Sequence, residues 1–146
     1  MARIIQLEPG VFVAPQLVAE DFAEIAARGF RSVVDNRPDG EAPGQMSHDE
    51  AAAASRRHGM RFRYDPVINA NVTEDAPVAA FARAMAELPG PILFYCRTGT
   101  RCTMLWAQAV AGRLGAGEAL RIAAGAGYNL EDLRPILEER AGLVEA

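Results

Sequence analysis

Along the chain, short apolar runs alternate with helical repeats of apolar positions. "IIQL" and "VFVA" (residues 4–7 and 11–14) read as short strands, divided by the turn signal "EPG". From Leu17 the spacing of Val18, Phe22 and Ile25 predicts a helical face, with Gly29 at its C-terminal cap. "FRSVVD" (30–35) reads as a buried strand, and "NRPDGEAPGQM" (36–46) as a loop dense in turn residues. Ser47 and Glu50 form a capping box for the helix "HDEAAAASRRHG". Met60, Phe62 and Tyr64 alternate in "MRFRYDPV", a strand that ends near Pro66. "VAAFARAMAELPG" (78–90) sets Val78, Phe81, Met85 and Leu88 on one helical side. "PILFY" (91–95) is a continuous apolar strand, central in a parallel sheet. "CTMLWAQAVAG" (102–112) is apolar nearly all round and predicts a buried helix, with Trp106 in the core. Two helices follow, "GEALRIAAGAG" and "NLEDLRPILEERAG". Pro135 delays or kinks the second, and Glu138 and Glu139 form its solvated face.

Strand and helix alternate from residue 30 to about 115, which predicts an α/β fold around a mainly parallel sheet. Ligands of such sheets bind beyond the carboxyl ends of the strands. Cys96 falls at one such end, Asp65 at another, and Asn36 and Arg37 follow a third.

The bulk numbers narrow the partners. At 146 residues the chain is expected to form a single domain, 1–146. A net charge of −4 argues against nucleic acid or an anionic membrane as the main partner. An anionic ligand must therefore be held by a local site. No apolar stretch is long enough for a signal peptide or a membrane span, and Cys96 and Cys102 are too few for a disulfide framework. The expected location is cytoplasmic. His48 and His58 show no zinc spacing with the cysteines and are assigned exposed structural roles.

"YCRTGTRC" (95–102) carries the chemistry. A loop running from a strand into a helix N-terminus turns backbone N–H groups inward and makes an anion cradle. Gly99 lets the backbone approach a ligand, and the helix dipole with Arg97 and Arg101 favours a Cys96 thiolate. Thr98 and Thr100 complete the loop, and Arg101 suits a bidentate grip on an oxyanion. Such a set fits nucleophilic cysteine chemistry on an anion, with no metal or cofactor expected.

Cys-x-x-Gly-x-Arg after an apolar strand resembles the loop shared by cysteine-dependent phosphatases and rhodaneses. More closely, "DNRPDGEAPGQ", "YCRTGTRCTMLWA" and "AGYNLEDLRP" together resemble the phosphatase-like domain of the beta-lactamase hydrolase-like proteins. The resemblance implies a three-layer, dual-specificity-phosphatase-like fold, its mostly parallel central sheet flanked by helices. It also implies a phosphatase acting through a cysteinyl-phosphate, with Cys96 as nucleophile and Arg101 on the phosphoryl oxygens. Asp65, 31 residues before Cys96 (96 − 65), carries over as the general acid, because dual-specificity phosphatases place theirs at a similar interval. Glu74 and Asp75 are its understudies, better suited to capping a helix. One departure stands out: four residues separate Cys96 from Arg101, where the phosphatase signature has five. A loop that short resembles rhodaneses and keeps open an alternative, a sulfurtransferase carrying a persulfide on Cys96. The expected substrate is phosphate- or sulfur-bearing and anionic; the oligomeric state is left open.

Arg37, beside Asn36 and Asp39 in the same loop, is either a candidate for substrate charge or part of a structural loop with internal hydrogen bonds. Tyr64 and Tyr128 are candidates to border the pocket, though the sequence does not orient them. Cys102 is either a buried first-turn residue or a redox partner of Cys96, and Thr103 is a second source of a hydroxyl near the thiolate.

Overall fold

A computed structural model describes residues 2–145, so the expected domain bounds, 1 and 146, lie outside the described residues. Five strands form one sheet: β1 (Ile5–Glu8), β2 (Val11–Ala14), β3 (Ser32–Asp35), β4 (Arg61–Tyr64) and β5 (Ile92–Tyr95), in the order β1-β2-β5-β3-β4. Only β1 runs antiparallel to its neighbour; β2–β5, β5–β3 and β3–β4 are parallel. "PILFY" does supply the central strand, fully buried as its apolar run predicts. Six helices cover the sheet: α1 (Asp21–Ala27), α2 (His48–Arg57), α3 (Asp75–Glu87), α4 (Thr100–Leu114), α5 (Ala116–Gly125) and α6 (Arg134–Glu145).

Two apolar layers hold helices to sheet. On one side α3, α4, α5 and α6 pack over Val13, Val34 and Phe94, with Trp106 fully buried and Phe81 stacked on Phe94 at 4.0 Å between centroids. On the other, α1 and α2 cover Val33, Leu93 and Tyr95 through Phe22, Ile25, Ala51 and Ala54. Alternation along β5 decides the split: Phe94 and Cys96 face the first layer, Leu93 and Tyr95 the second. Among the described residues, no helix is long and apolar enough to cross a membrane.

Several boundaries differ from expectation. α1 begins at Asp21, and Val18 stays outside it and 51% exposed, because the Asp21 carboxylate takes the Val18 N–H (2.9 Å) and closes a turn there. α3 begins at Asp75, three residues early, since Pro77 in its first turn costs no hydrogen bond. It ends at Glu87, where Leu88 turns extended (ψ 147°). α4 begins at Thr100, so Arg101 belongs to its first turn. β4 lies at the sheet edge, and Phe62 and Tyr64 are only half-buried there. The capping box of Ser47 and Glu50 is present, and Pro135 does delay α6, which starts after a 3₁₀ turn at Glu131–Leu133.

Candidate anion site at the carboxyl end of the sheet

In-register parallel pairing sets Tyr95, Asp35 and Tyr64 abreast. The next residues, Cys96, Asn36 and Asp65, therefore emerge side by side at the carboxyl edge. Backbone bonds fix this row: Asn36 N–H donates to Tyr95 O (2.9 Å) and Asp65 N–H to Asp35 O (3.0 Å). The Asn36 amide also donates to Asp65 O at 2.9 Å.

The cradle is built locally. Cys96 N–H donates to Ala14 O (3.3 Å), and Arg97 O accepts from Gln16 N–H (3.2 Å), which ties the loop to the end of β2. Gly99 then turns into α4 with φ +89°, a conformation that favours glycine. Its N–H donates to Cys96 Sγ at 3.2 Å. A β-carbon at Gly99 would lie 2.2 Å from Tyr128 Oη, so the tyrosine lies directly over the loop. Tyr128 Oη donates to Thr98 O (3.0 Å). Thr98 Oγ1 meets Thr100 Oγ1 at 2.9 Å. Thr103 is not the expected second hydroxyl for the thiolate: its Oγ1 donates to Gly99 O (2.8 Å), satisfying a carbonyl at the helix start.

These donors act on the sulfur. The Cys96 thiol is brought down to about 6, chiefly by the Cys102 thiol beside it, then by the N–H groups of Cys102, Gly99 and Thr98, against the opposing effect of burial. Burial pushes Cys102 far up instead, so the pair's first proton to leave comes from Cys96. Both are free thiols.

A second layer of the site consists of side chains. Arg37, Arg97 and Arg101 line a polar cavity of about 420 Å³ with Glu41 and Asn69. Glu41 bridges two of the cations: Arg101 donates to both its oxygens (2.9 and 2.7 Å), and Arg37 Nε to one of them (2.8 Å). Arg101 also donates to Val67 O (2.9 Å), and Arg37 to Gln16 Oε1 (3.1 Å). The Arg101 hydrogen bonds, foremost, hold the Glu41 carboxyl down at about 2. The bidentate grip expected of Arg101 on an oxyanion is thus made to a carboxylate of the protein. Among the described residues, neither Arg101 Nε nor the Arg97 guanidinium has a hydrogen-bond partner; Arg97 is exposed and Arg101 buried. Arg37 lines the cavity but is buried and anchored by internal hydrogen bonds, its own N–H taken by Asp35 Oδ1 at 2.8 Å.

Sequence reasoning missed Glu41, Asp35 and Gln16. The i, i+4 spacing of Arg37 and Glu41 was the available signal, but the pairing of Glu41 with Arg101 closes across 60 residues. Burial pushes the Asp35 carboxyl up to about 7, and its role is to set the Arg37 turn. His48 does have partners: its ring stacks on Tyr64 (3.9 Å) and bonds to Asp39, whose N–H meets Tyr64 Oη (3.0 Å). That cluster anchors the loop carrying Glu41. His58 caps the C-terminus of α2.

Asp65 stands in the row with Cys96 but lines a separate cavity with Tyr64, Val67 and Glu74. Its Oδ2 is buried without a hydrogen-bond partner, and burial raises its pKa against the pull of Arg63 and Arg83. Glu74 takes the N-cap position of α3 without a side-chain cap bond, and Asp75 pairs with Arg140 (3.2 Å), so neither caps as expected. No group of three or more metal-ligating side chains occurs among the described residues.

The chain is similar to known proteins in sequence and in fold. The family model for the phosphatase-like domain of beta-lactamase hydrolase-like proteins matches residues 3–113. Beta-lactamase hydrolase-like proteins of Xylella fastidiosa (strain 9a5c) and Agrobacterium fabrum are 36% and 34% identical over 95% and 77% of the chain. The chain spans between a quarter and a third of those relatives' length (32% and 26%). A "putative phosphatase" from Neisseria meningitidis superposes with a TM-score of 0.85 at 32% identity, over 94% of this chain and 97% of that one. The kinase associated phosphatase shares the fold alone: TM-score 0.75 at 11% identity, over 100% and 96% of the two chains. By sequence and by fold, the chain belongs to the phosphatase-like domain family of the beta-lactamase hydrolase-like proteins.

Proposed function

We propose that the chain hydrolyses phosphate monoesters through a phosphorylated Cys96. The observation that carries this reading is the Gly99 N–H on Cys96 Sγ at the mouth of α4, with the thiol brought down to about 6. A thiolate at neutral pH then lies where backbone donors favour negative charge. Its sulfur attacks phosphorus and the ester P–O bond breaks. Arg101, Arg97 and the amides of Thr98 and Gly99 bind the phosphoryl oxygens, the Thr100 N–H being donated to Thr98 Oγ1 (3.3 Å), and Asp65 gives its proton to the leaving alcohol. Water then attacks the cysteinyl-phosphate, returning a proton to Asp65 and releasing inorganic phosphate. Asp65 stands two strands from Cys96, a backbone gap of about 10 Å, which two side chains and a phosphate ester between them fill. Its raised pKa supports the protonated form this role needs.

The four-residue spacing supports a second reading, sulfur transfer by a Cys96 persulfide, in which Asp65 has no part. One experiment separates the two: hydrolysis of 4-nitrophenyl phosphate, without metal and with thiols reduced. The expected result is loss of turnover in Cys96→Ser by at least 10³-fold and in Asp65→Asn by about 10²-fold, the usual scale of acid–base assistance. Equal turnover in wild type and Cys96→Ser would remove the reading. Wild-type inactivity toward the ester, with persulfide transfer intact in Asp65→Asn, would favour the second.

A further inference from the structure

Three cavities open along the carboxyl edge of the sheet, and arginines line two of them. The third measures about 520 Å³ and lies between the segment after β4 and the first turns of α3. That volume is within the range of roughly 300–1,000 Å³ typical of small-molecule sites. Val67, Ile68, Pro77 and Ala80 make its apolar wall; Asp65 and Glu74 carry its charge, and no cationic side chain lines it.

This cavity and that of Arg37 and Arg101 share a wall. The Val67 carbonyl accepts from Arg101 (2.9 Å) while Val67 itself lines the apolar cavity. Asn69, two residues on, lines the arginine cavity, and Pro38 lines the apolar one beside Arg37. Asp65 Oδ2 is shielded from water with no partner, an unmet hydrogen-bonding demand at the edge of this space. Ile68 is 47% exposed, one of two large apolar side chains left so uncovered among the described residues.

We propose that the apolar cavity binds the alcohol half of the phosphomonoester, an uncharged, ring-sized apolar group, while the phosphoryl half sits among Arg37, Arg97 and Arg101. The inference rests on the reading of Cys96 and Asp65 given above. An acid that protonates the bridging oxygen must touch it, so that oxygen lies at Asp65 and the carbon skeleton beyond it. The Glu74 carboxylate repels a second phosphate there, which disfavours polyphosphorylated alcohols as substrates. Arg63 and Arg83 already act on Asp65 from outside the cavity, so an ammonium group has little to gain.

Binding of 2-naphthyl phosphate to Cys96→Ser protein, by calorimetry, tests this without requiring turnover. Adding Ala80→Phe fills the cavity and is expected to weaken the affinity at least tenfold, while inorganic phosphate and glycerol 3-phosphate bind within twofold of before. Retained phosphate binding shows that the fold and cradle survive. If Ala80→Phe does not fold, Ile68→Asp, at an exposed position, carries the same expectation at about fivefold. Equal change for all three ligands, or none, overturns the proposal. Turnover lost in Cys96→Ser with naphthyl phosphate binding indifferent to both wall variants would leave the catalytic reading standing and the cavity assignment refuted. Naphthyl phosphate binding that responds to the wall, with no wild-type turnover, would do the reverse.

Discussion

The cradle and the arginine wall bind charge in opposite ways. The cradle runs over four residues between β5 and α4 and relies on backbone: a positive φ at Gly99, tethers to Ala14 and Gln16, and N–H groups directed at one sulfur. The wall depends on a loop of about a dozen residues and relies on side chains: Glu41 spans Arg37 and Arg101, which Gln16 and the Val67 carbonyl hold from their other sides. Backbone donors cost little reorganisation when a ligand arrives, so the cradle is ready as it stands. Guanidiniums are flexible and need a partner to hold them, so the wall holds a carboxylate of its own.

The sharpest way to break the contrast is Gly99→Ala. A β-carbon would force a strained positive φ and collide with Tyr128 Oη, 2.2 Å away. Turnover of 4-nitrophenyl phosphate is expected to fall at least 10²-fold with the protein still folded by circular dichroism. Activity within threefold of wild type would show that the loop has no need of this turn.

Glu41→Gln tests the wall and is expected to act more mildly, raising KM about tenfold with a smaller change in kcat as the arginines lose alignment. It also has a signature in acid. The folded pKa of Glu41 is depressed from its ordinary 4.5 to about 2, so its contribution to stability is complete above 4.5 and disappears as pH falls through 2. Thermal melts between pH 5 and 2 should therefore slope less steeply in Glu41→Gln. A lowered KM would instead mean that the carboxylate competes with substrate.

The smallest effect on turnover is expected for Cys102→Ser, which keeps a donor beside Cys96. Its consequence is redox. Peroxide is expected to convert the Cys96 thiolate to a sulfenic acid, with which the Cys102 thiol condenses to a disulfide, releasing water; without Cys102 a second peroxide oxidises the sulfenic acid to a sulfinic acid that thiols do not reduce. After excess peroxide, dithiothreitol should therefore restore the wild type and leave Cys102→Ser inactive. Equal recovery would assign Cys102 to packing alone.

The same contrast explains what was legible in the sequence. β5 and α4 were readable because an apolar run, a glycine and a helical repeat are local signals, and Cys96 and Gly99 are positioned by chain neighbours. The same local pattern put Arg101 beside the loop and Asp65 at a strand end, and the family resemblance added the roles expected of them. The partner of Arg101 was not readable: Glu41 lies 60 residues away, in a loop whose path depends on Asp39, His48 and Tyr64 meeting. Thr103 went astray for a related reason, since a helix-start carbonyl captured its hydroxyl before the sulfur could. Val18 fell outside its helix because one aspartate closed a turn that periodicity does not register.

Trp106 gives the molecule a built-in optical probe. It is the single tryptophan of the chain, fully buried in α4, with its indole N–H donated to Glu8 at 2.6 Å. Its emission therefore reports the integrity of the helix whose first turn bears Arg101 and Cys102, and does so without an attached label. Glu8 belongs to β1 at the far edge of the sheet, so the same spectrum registers any peeling of the antiparallel strand. Unfolding followed by fluorescence thus separates variants that damage the scaffold from variants that change only the chemistry.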